Sequence, residues 1–356
     1  MRVAIIGTVG IPAIYGGFET LTENLTKKLG EKLKFTVYCS TKAYSTKLES
    51  YNNAHLEYIP IKGNGIQSIP YDILSLFKAA KANDTILILG VSGCIVLPIF
   101  RLFYKQKKLI INIDGLEHRR GKWSKYVRIY LKYSEKLALK YADEVITDNE
   151  AIKKYVKDEY KRESTYIAYA GDHAKSLALT KDVQQKYSIP EKYAFKVCRI
   201  EPENNIQIIL EAFTQITLSL FLVGNWSNSS YGLSLKNRFG GFKNIHLLDS
   251  IYDQNILDQI RGNCTIYLHG HGAGGTNPSL VEAMNLGLPI FSYDCVYNRA
   301  TTLNKGLYFS DVAELKKLVE LSTKEKLKSL GDTMLKIAKE NYTWEKISNQ
   351  YYELLK

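Results

Sequence analysis

The sequence predicts an α/β protein made of two doubly wound parallel sheets. Three observations carry this expectation. Apolar strand-like runs alternate with amphipathic helical stretches along the whole chain, and two glycine-rich segments each follow a strand and open a helix. The third is size: 356 residues with 45% hydrophobic content suffice to build two cores.

In the first half, strands are expected near 2–6, 34–39, 55–60, 85–89, 109–113, 144–147 and 165–168, and helices near 19–29, 70–81, 123–141 and 149–157. In the second half, strands near 193–198, 218–223, 244–248, 265–268, 289–292 and 307–308 alternate with helices near 204–213, 231–238, 253–261, 279–286, 311–319 and 324–340. The pattern breaks from Gly171-Asp172-His173 through the polar stretch to Pro190, which divides the chain into domains of 1–172 and 173–342. Ligands of such sheets bind outside the carboxyl ends of the strands, where both glycine loops emerge.

The more informative loop is Leu268-His-Gly-His-Gly-Ala-Gly-Gly-Thr-Asn-Pro-Ser-Leu-Val-Glu-Ala-Met284. Its glycines permit tight turns, Asn277-Pro278-Ser279 supplies a cap with proline near the first helical position, and a helix starts near Ser279. The unpaired amides and positive end of that helix favour a phosphate-type anion, and Glu282, one turn in, is placed to accept hydrogen bonds from ribose hydroxyls. Taken alone, the segment reads equally well as a glycine-rich turn with an ordinary first-turn glutamate.

The second loop follows Arg2-Val-Ala-Ile-Ile6 and reads Gly7-Thr-Val-Gly-Ile-Pro-Ala-Ile-Tyr-Gly16-Gly17-Phe-Glu19. Leu21, Leu25 and Leu29 then mark one face of a helix. Gly7 and Gly10 do not complete the dinucleotide fingerprint, and the strand 34–39 ends without an acidic residue for a ribose, so a nicotinamide site is not expected. Gly16 and Gly17 still let backbone amides approach an anion or a sugar.

Five scattered cysteines, Cys39, Cys94, Cys198, Cys264 and Cys295, show no Cys-x-x-Cys pair and read as reduced core residues of a cytoplasmic protein without structural zinc. No charged, apolar, cleavable leader precedes the first strand, so secretion is not expected. The apolar stretch 86–100, broken by Gly90, Gly93 and Pro98, is too short to cross a bilayer and reads as a strand, a glycine loop and the start of a helix.

Residues 1–172 hold 27 Lys and Arg against 18 Asp and Glu, so +9 of the net +12 lies there. Two segments concentrate it, 101–108 and 119–132; in the second, Trp123, Tyr126 and Tyr130 interleave with Arg119, Lys122, Lys125 and Arg128. The pattern suits peripheral docking on an anionic membrane. A solvated basic helix with its aromatics in the core is the competing reading, and no nucleic-acid motif accompanies the charge.

Five ordered segments resemble a known family. They are Gly10-Ile-Pro-Ala-Ile-Tyr-Gly-Gly-Phe-Glu-Thr20, Asn112-Ile-Asp-Gly-Leu-Glu117, Arg199-Ile-Glu-Pro-Glu-Asn-Asn205, the 269–284 loop, and Tyr342-Thr-Trp344 opening a last helix. The chain resembles a GT-B glycosyltransferase of the large retaining family four and, more narrowly, the bacterial β-1,4-rhamnosyltransferases that build capsule and cell-wall polysaccharides. The resemblance spans nearly the whole chain. It implies two Rossmann-like domains facing a central cleft, an acceptor-binding one of 1–172 rejoined by a helix near 343–356, and a donor-binding one of 173–342.

Carried over, the family implies that Arg199 lies against the donor diphosphate, with the amides of Thr276, Asn277, Ser279 and Leu280 completing the cradle. Gly16, Gly17, His271, Gly274 and Gly275 join the donor site, and Glu282, the second glutamate of the Glu-x7-Glu motif, holds the ribose. The first glutamate of that motif is Gly274 here, which is compatible with a 6-deoxy sugar. Three further positions depart from the family: Asn204 stands where a lysine is usual, Val9 where an arginine is expected, and His118 where the subgroup often has tryptophan.

For acceptor positioning and catalysis the candidates are Asp114, Glu117, His118, Asp148 and Asn149; Asp148-Asn149 reads equally as a helix cap and Asp114-Gly115 as a turn. No Asp-x-Asp pair exists, so neither a metal nor a cofactor is expected. The implied function is transfer of L-rhamnose from dTDP-L-rhamnose, with retention, to a lipid-diphosphate-linked sugar at the inner face of the cell membrane. A UDP- or GDP-hexose donor, a nucleotide-sugar 2-epimerase on the same architecture, and a noncatalytic binding partner are the alternatives.

Overall fold

The structure, a computed structural model, describes residues 1–14, 16–121 and 123–356. Tyr15 of the first glycine loop and Lys122 of the basic segment lie outside the described residues. The chain divides into two compact units, Met1–Tyr169 with Trp344–Lys356, and Ala170–Thr343.

The first unit is built on β1 (Arg2–Ile6), β2 (Lys34–Ser40), β3 (Ser50–Tyr51), β4 (Ala54–Ile59), β5 (Thr85–Leu89), β6 (Lys108–Asn112), β7 (Glu144–Thr147) and β8 (Thr165–Tyr166). Their order is β3-β4-β2-β1-β5-β6-β7-β8. All neighbours are parallel except β3 and β4. Parallel strands need crossovers, here α1 (Gly17–Leu29), α2 (Ser68–Ala82), α3 (Leu97–Phe103), α4 (Lys125–Tyr141) and α5 (Glu150–Tyr160), while α14 (Trp344–Leu355) returns to the same unit. Helices on both faces explain why Thr85-Ile-Leu-Ile-Leu89 is buried at every position, so the strand reads as an apolar run rather than an alternation. Asn112 Nδ2 donates to Tyr351 Oη at 2.8 Å, tying the end of β6 to α14.

The second unit contains β9 (Tyr193–Val197), β10 (Ser219–Val223), β11 (Ile245–Leu248), β12 (Ile266–His269), β13 (Ile290–Tyr293) and β14 (Leu307–Phe309), all parallel, in the order β11-β10-β9-β12-β13-β14. Its helices are α6 (Lys181–Tyr187), α7 (Ile206–Phe213), α8 (Ser230–Phe239), α9 (Gln254–Gly262), α10 (Pro278–Asn285), α11 (Val296–Thr301), α12 (Val312–Glu320) and α13 (Lys324–Asn341). The strand order reverses between β9 and β12, and in the first unit between β1 and β5. Loops leaving adjacent strands in opposite directions open a crevice at such a reversal.

Sequence periodicity misses β3, α6 and α11. A two-residue strand has no period to read, and α6 buries only Val183, so the supposedly irregular polar stretch 170–190 contains a helix capped by Thr180. The strand expected over 165–168 ends at Tyr166. The five cysteines are all free.

Candidate nucleotide-binding site in the second unit

The site starts from two neighbouring strands. After β9 the chain passes Cys198 and Arg199 and makes a short turn at Pro202–Asn204. Asn205 then turns it into α7 with φ at 48°. After β12, residues 270–277 lead into α10, where Asn277 Oδ1 accepts from the Ser279 amide at 3.1 Å and from Ser279 Oγ at 2.7 Å, with Pro278 in the first turn. Gly274 and Gly275 hold φ values of 70° and 63°, a left-handed pair that side chains disfavour. This conformation is the local reason that glycine, rather than glutamate, suits position 274.

The two loops are knitted together. The Gly272 amide donates to Glu203 O at 2.8 Å, Asn205 Nδ2 to Gly270 O at 2.8 Å, and His271 Nδ1 lies 3.1 Å from Asn204 Oδ1. Asn204 Nδ2 also donates to Arg199 O at 2.8 Å. The buried Asn204, at a position where the resemblance led to the expectation of a lysine, is therefore a strut holding the Arg199 backbone and the His271 ring. Asn298 Nδ2 donates to His271 O at 2.8 Å and fixes that loop from behind.

The approach is close enough that a Cβ on Gly270 would stand 2.1 Å from Asn204 O. Gly270→Ala should accordingly cost about 1–3 kcal/mol, the usual cost of forcing atoms into a packed contact. A urea titration reads this directly, and an unchanged midpoint would show that the two loops are not locked together.

Arg199 is two-fifths exposed, and its Nε lies 3.8 Å from Glu201 Oε2, too far for a hydrogen bond. The guanidinium is thus held by its backbone and left available at the head group. His269 is buried at the end of β12, and burial, followed by the positive charges of Lys196 and His271, pushes its pKa well down, so its ring is neutral.

Glu282 stands in the first turns of α10. Burial alone would raise its pKa, but the charge of Arg261 and then the contact with His173 outweigh this and hold it down at about 2. Arg261 Nη1 donates to Glu282 Oε2, and His173 Nε2 lies 3.0 Å from Oε1. Arg261 itself has no solvent exposure and also bonds Asp258 Oδ1 at 2.7 Å. Sequence reading missed both Arg261 and His173. They sit 21 and 109 positions from Glu282, and no spacing rule connects them.

In the first unit the other candidates lie at the carboxyl ends of β1, β6 and β7. Gly16, with φ at 118°, caps α1, and Gly17 begins it. Glu19, not singled out by sequence, is buried and accepts from the Val9 amide at 2.8 Å and Thr8 Oγ1 at 3.1 Å, so it shapes this loop. Asp114 takes the left-handed φ of 59°, with its amide bonded to Asn112 Oδ1. Glu117 accepts from Trp123 Nε1 and pairs with Arg120 Nε, each at 2.9 Å. His118 Nδ1 lies 3.0 Å from the buried Glu135. Asp148 and Asn149 are both buried, and Asn149 Oδ1 accepts from the Ala151 amide at 2.9 Å as the cap of α5.

The expected aromatic cluster on the basic helix is different in space. Trp123 precedes α4 and bonds Glu117, and Tyr130 turns inward to donate to Ser92 O at 2.7 Å. Of the three, Tyr126 is the one turned out, 84% exposed.

Each sheet thus reverses at a pair of strands whose loops carry the glycine-rich segments, and the fold is the GT-B class, with two Rossmann-like domains. Residues 1–172 match a family described as Domain of unknown function (DUF1972). Among curated proteins none matches the chain. Similar solved structures include sucrose-phosphate synthase from Thermosynechococcus elongatus, with a TM-score of 0.84 at 16% identity over 99% of this chain and 98% of that one. Anabaena HepE in complex with UDP and glucose gives 0.75 at 14% identity over 100% and 99%. A Listeria monocytogenes protein provisionally described as a UDP-N-acetylglucosamine 2-epimerase gives 0.66 at 17% identity over 99% and 94%.

Proposed function

We propose that the protein is a retaining glycosyltransferase that moves L-rhamnose from dTDP-L-rhamnose to a lipid-diphosphate-linked sugar in capsule or cell-wall polysaccharide biosynthesis. One observation carries the reading: at the strand reversal of the second unit, an available arginine and the capped start of α10 are held by one hydrogen-bonded pair of loops. That arrangement supplies fixed positive potential for a diphosphate. The positive end of α10 and the Arg199 guanidinium supply the charge, and Glu282 the acceptor for ribose hydroxyls; of the cradle amides expected from sequence, those of Ser279 and Leu280 already donate to Asn277 Oδ1 and Asn277 O, at 3.1 and 3.0 Å.

In the reaction, the bond from the anomeric carbon to the diphosphate oxygen breaks as the acceptor hydroxyl oxygen bonds to the same face of that carbon. The hydroxyl proton passes to the departing phosphate oxygen. Arg199 and the positive end of α10 stabilise the charge that develops on the leaving group. Asp114, Glu117, His118, Asp148 and Asn149 are the residues of the first unit assigned to acceptor positioning. Epimerisation would need a pair of acid–base carboxyls at the nucleotide sugar, and Glu282, paired with Arg261 and against His173, is not one of them.

No described helix is long and apolar enough to cross a membrane. Contact with the inner membrane face is assigned to 101–108 and 119–132, where Leu102, Phe103, Tyr126 and Ile129 are exposed beside the cations.

Melting curves with dTDP-rhamnose, UDP-glucose and GDP-mannose test the donor. At a hundredfold excess over Kd the true donor should raise the melting temperature by about 5–10 °C. Mass spectrometry after incubation with dTDP-rhamnose and a GlcNAc-diphosphate-lipid tests transfer. A larger rise with UDP-glucose would move the assignment to that donor, and an acceptor that gains no sugar from any of the three would refute the transferase reading.

A further inference from the structure

A cavity of about 780 Å³ opens on the first unit along α4, and it is not one of the strand-reversal crevices. Lys125, Arg128, Lys132 and Lys136 line it, with Ile129 and Tyr133 between them. Their spacing of three and four residues places all four cations on one helical face. His118, Glu159 and Tyr160 complete the wall.

Most of the acid nearby is already committed. Glu135, buried at the base, accepts from Tyr155 Oη at 2.8 Å and Tyr160 Oη at 2.6 Å and lies 3.0 Å from His118 Nδ1. Lys132 takes up Glu159 at 3.0 Å and Tyr155 Oη at 2.5 Å. Arg128 spends its Nε on His118 O at 2.9 Å. Among the described residues no carboxylate pairs with Lys125, Arg128 or Lys136, and all three are exposed. The cavity therefore presents three uncompensated cations, one with the remaining face of its guanidinium open to a planar or forked anion.

Its rim is also apolar. Ile129 and Tyr133 are 59% and 54% exposed on the same helix, and α3, which packs on α4, exposes Ile99, Leu102 and Phe103. A soluble polyanion needs no such neighbours. A phosphorylated lipid needs both halves.

We propose that this cavity seats the diphosphate of a membrane-embedded polyprenyl diphosphate, with Lys125, Arg128 and Lys136 holding its charge. The inference rests on the acceptor reading above and gives that acceptor's lipid-borne group a place on the first unit. Vesicle flotation tests it with phosphatidylcholine vesicles carrying polyprenyl diphosphate. Vesicles with polyprenyl monophosphate, or with phosphatidylglycerol at matched surface charge, serve as comparators.

The intact chain should be retained best by the diphosphate vesicles, Arg128→Glu with Lys136→Glu should weaken that retention at least about tenfold, and Arg128→Lys with Lys136→Arg should keep it. Equal retention on the matched phosphatidylglycerol vesicles, no retention at all, or indifference to the charge reversal would each overturn the proposal. The reversed variant should keep its melting shift with the nucleotide sugar, which reports both folding and the separate donor site. Failure of the transferase reading would instead show as loss of that shift and of transfer in the unaltered protein.

Discussion

Arg261→Ala should destabilise the second unit by about 3–5 kcal/mol, a fall of about 10 °C in melting temperature. The guanidinium has no solvent exposure and sits between Asp258 and Glu282. Its removal leaves two poorly solvated carboxylates facing each other without their shared cation. Combining it with Asp258→Asn and Glu282→Gln should recover much of the loss, because the buried charge is removed with its partner. Acid sensitivity should change as well. Glu282 is lowered from its ordinary 4.5 to about 2, so its contribution to stability is fully present above 4.5 and is lost as pH falls from there towards 2. In Arg261→Ala that depression shrinks, and this acid-dependent part of the stability should be small. Melting temperatures measured between pH 2 and 7 check both statements. A variant as stable as the parent at neutral pH would mean that Glu282 is not tied to Arg261.

Arg199→Ala should lower kcat/KM for the nucleotide sugar by about a hundredfold to a thousandfold while leaving the melting temperature of the free protein nearly unchanged. The magnitude is that of removing one preorganised donor to developing charge. The small stability effect follows from the position of the side chain: it is two-fifths exposed and its closest acid is 3.8 Å away. Arg199→Lys should recover only part of the activity, because an ammonium offers a point charge where the guanidinium offers a fork. Affinity for the nucleoside alone should not move, since it lacks the diphosphate. Steady-state kinetics with the donor found by the melting panel, together with nucleoside titration, make the comparison, and undiminished turnover in Arg199→Ala would remove the arginine from the leaving-group site.

Much of the architecture was legible because helix and strand periods are local. Val3–Ile6 and Ile86–Leu89 are continuous apolar runs each followed by glycine, and Leu21, Leu25 and Leu29 fix the buried face of α1. The cap at Asn277-Pro278 was likewise legible from residue types alone. The polar α6 was not, since a helix that buries one valine carries almost no period. Nor was the work of Asn204. Its position reads as a missing cation, yet in space the side chain braces the Arg199 carbonyl and the His271 ring.

The sequence by itself determined the alternation of strands and helices, the parallel sheets that this alternation requires, and the two glycine-rich exits from them. Only the tertiary structure decided which charges are spent and which remain available. Glu282 is paired with Arg261 and lies against His173, and Glu117 is held by Arg120 and Trp123, whereas among the described residues no acid pairs with Lys125 or Lys136. The reason is the range of the forces involved. Backbone periodicity is set by residues a few positions apart, but a charge responds to whatever folding brings within a few ångströms, from any distance along the chain.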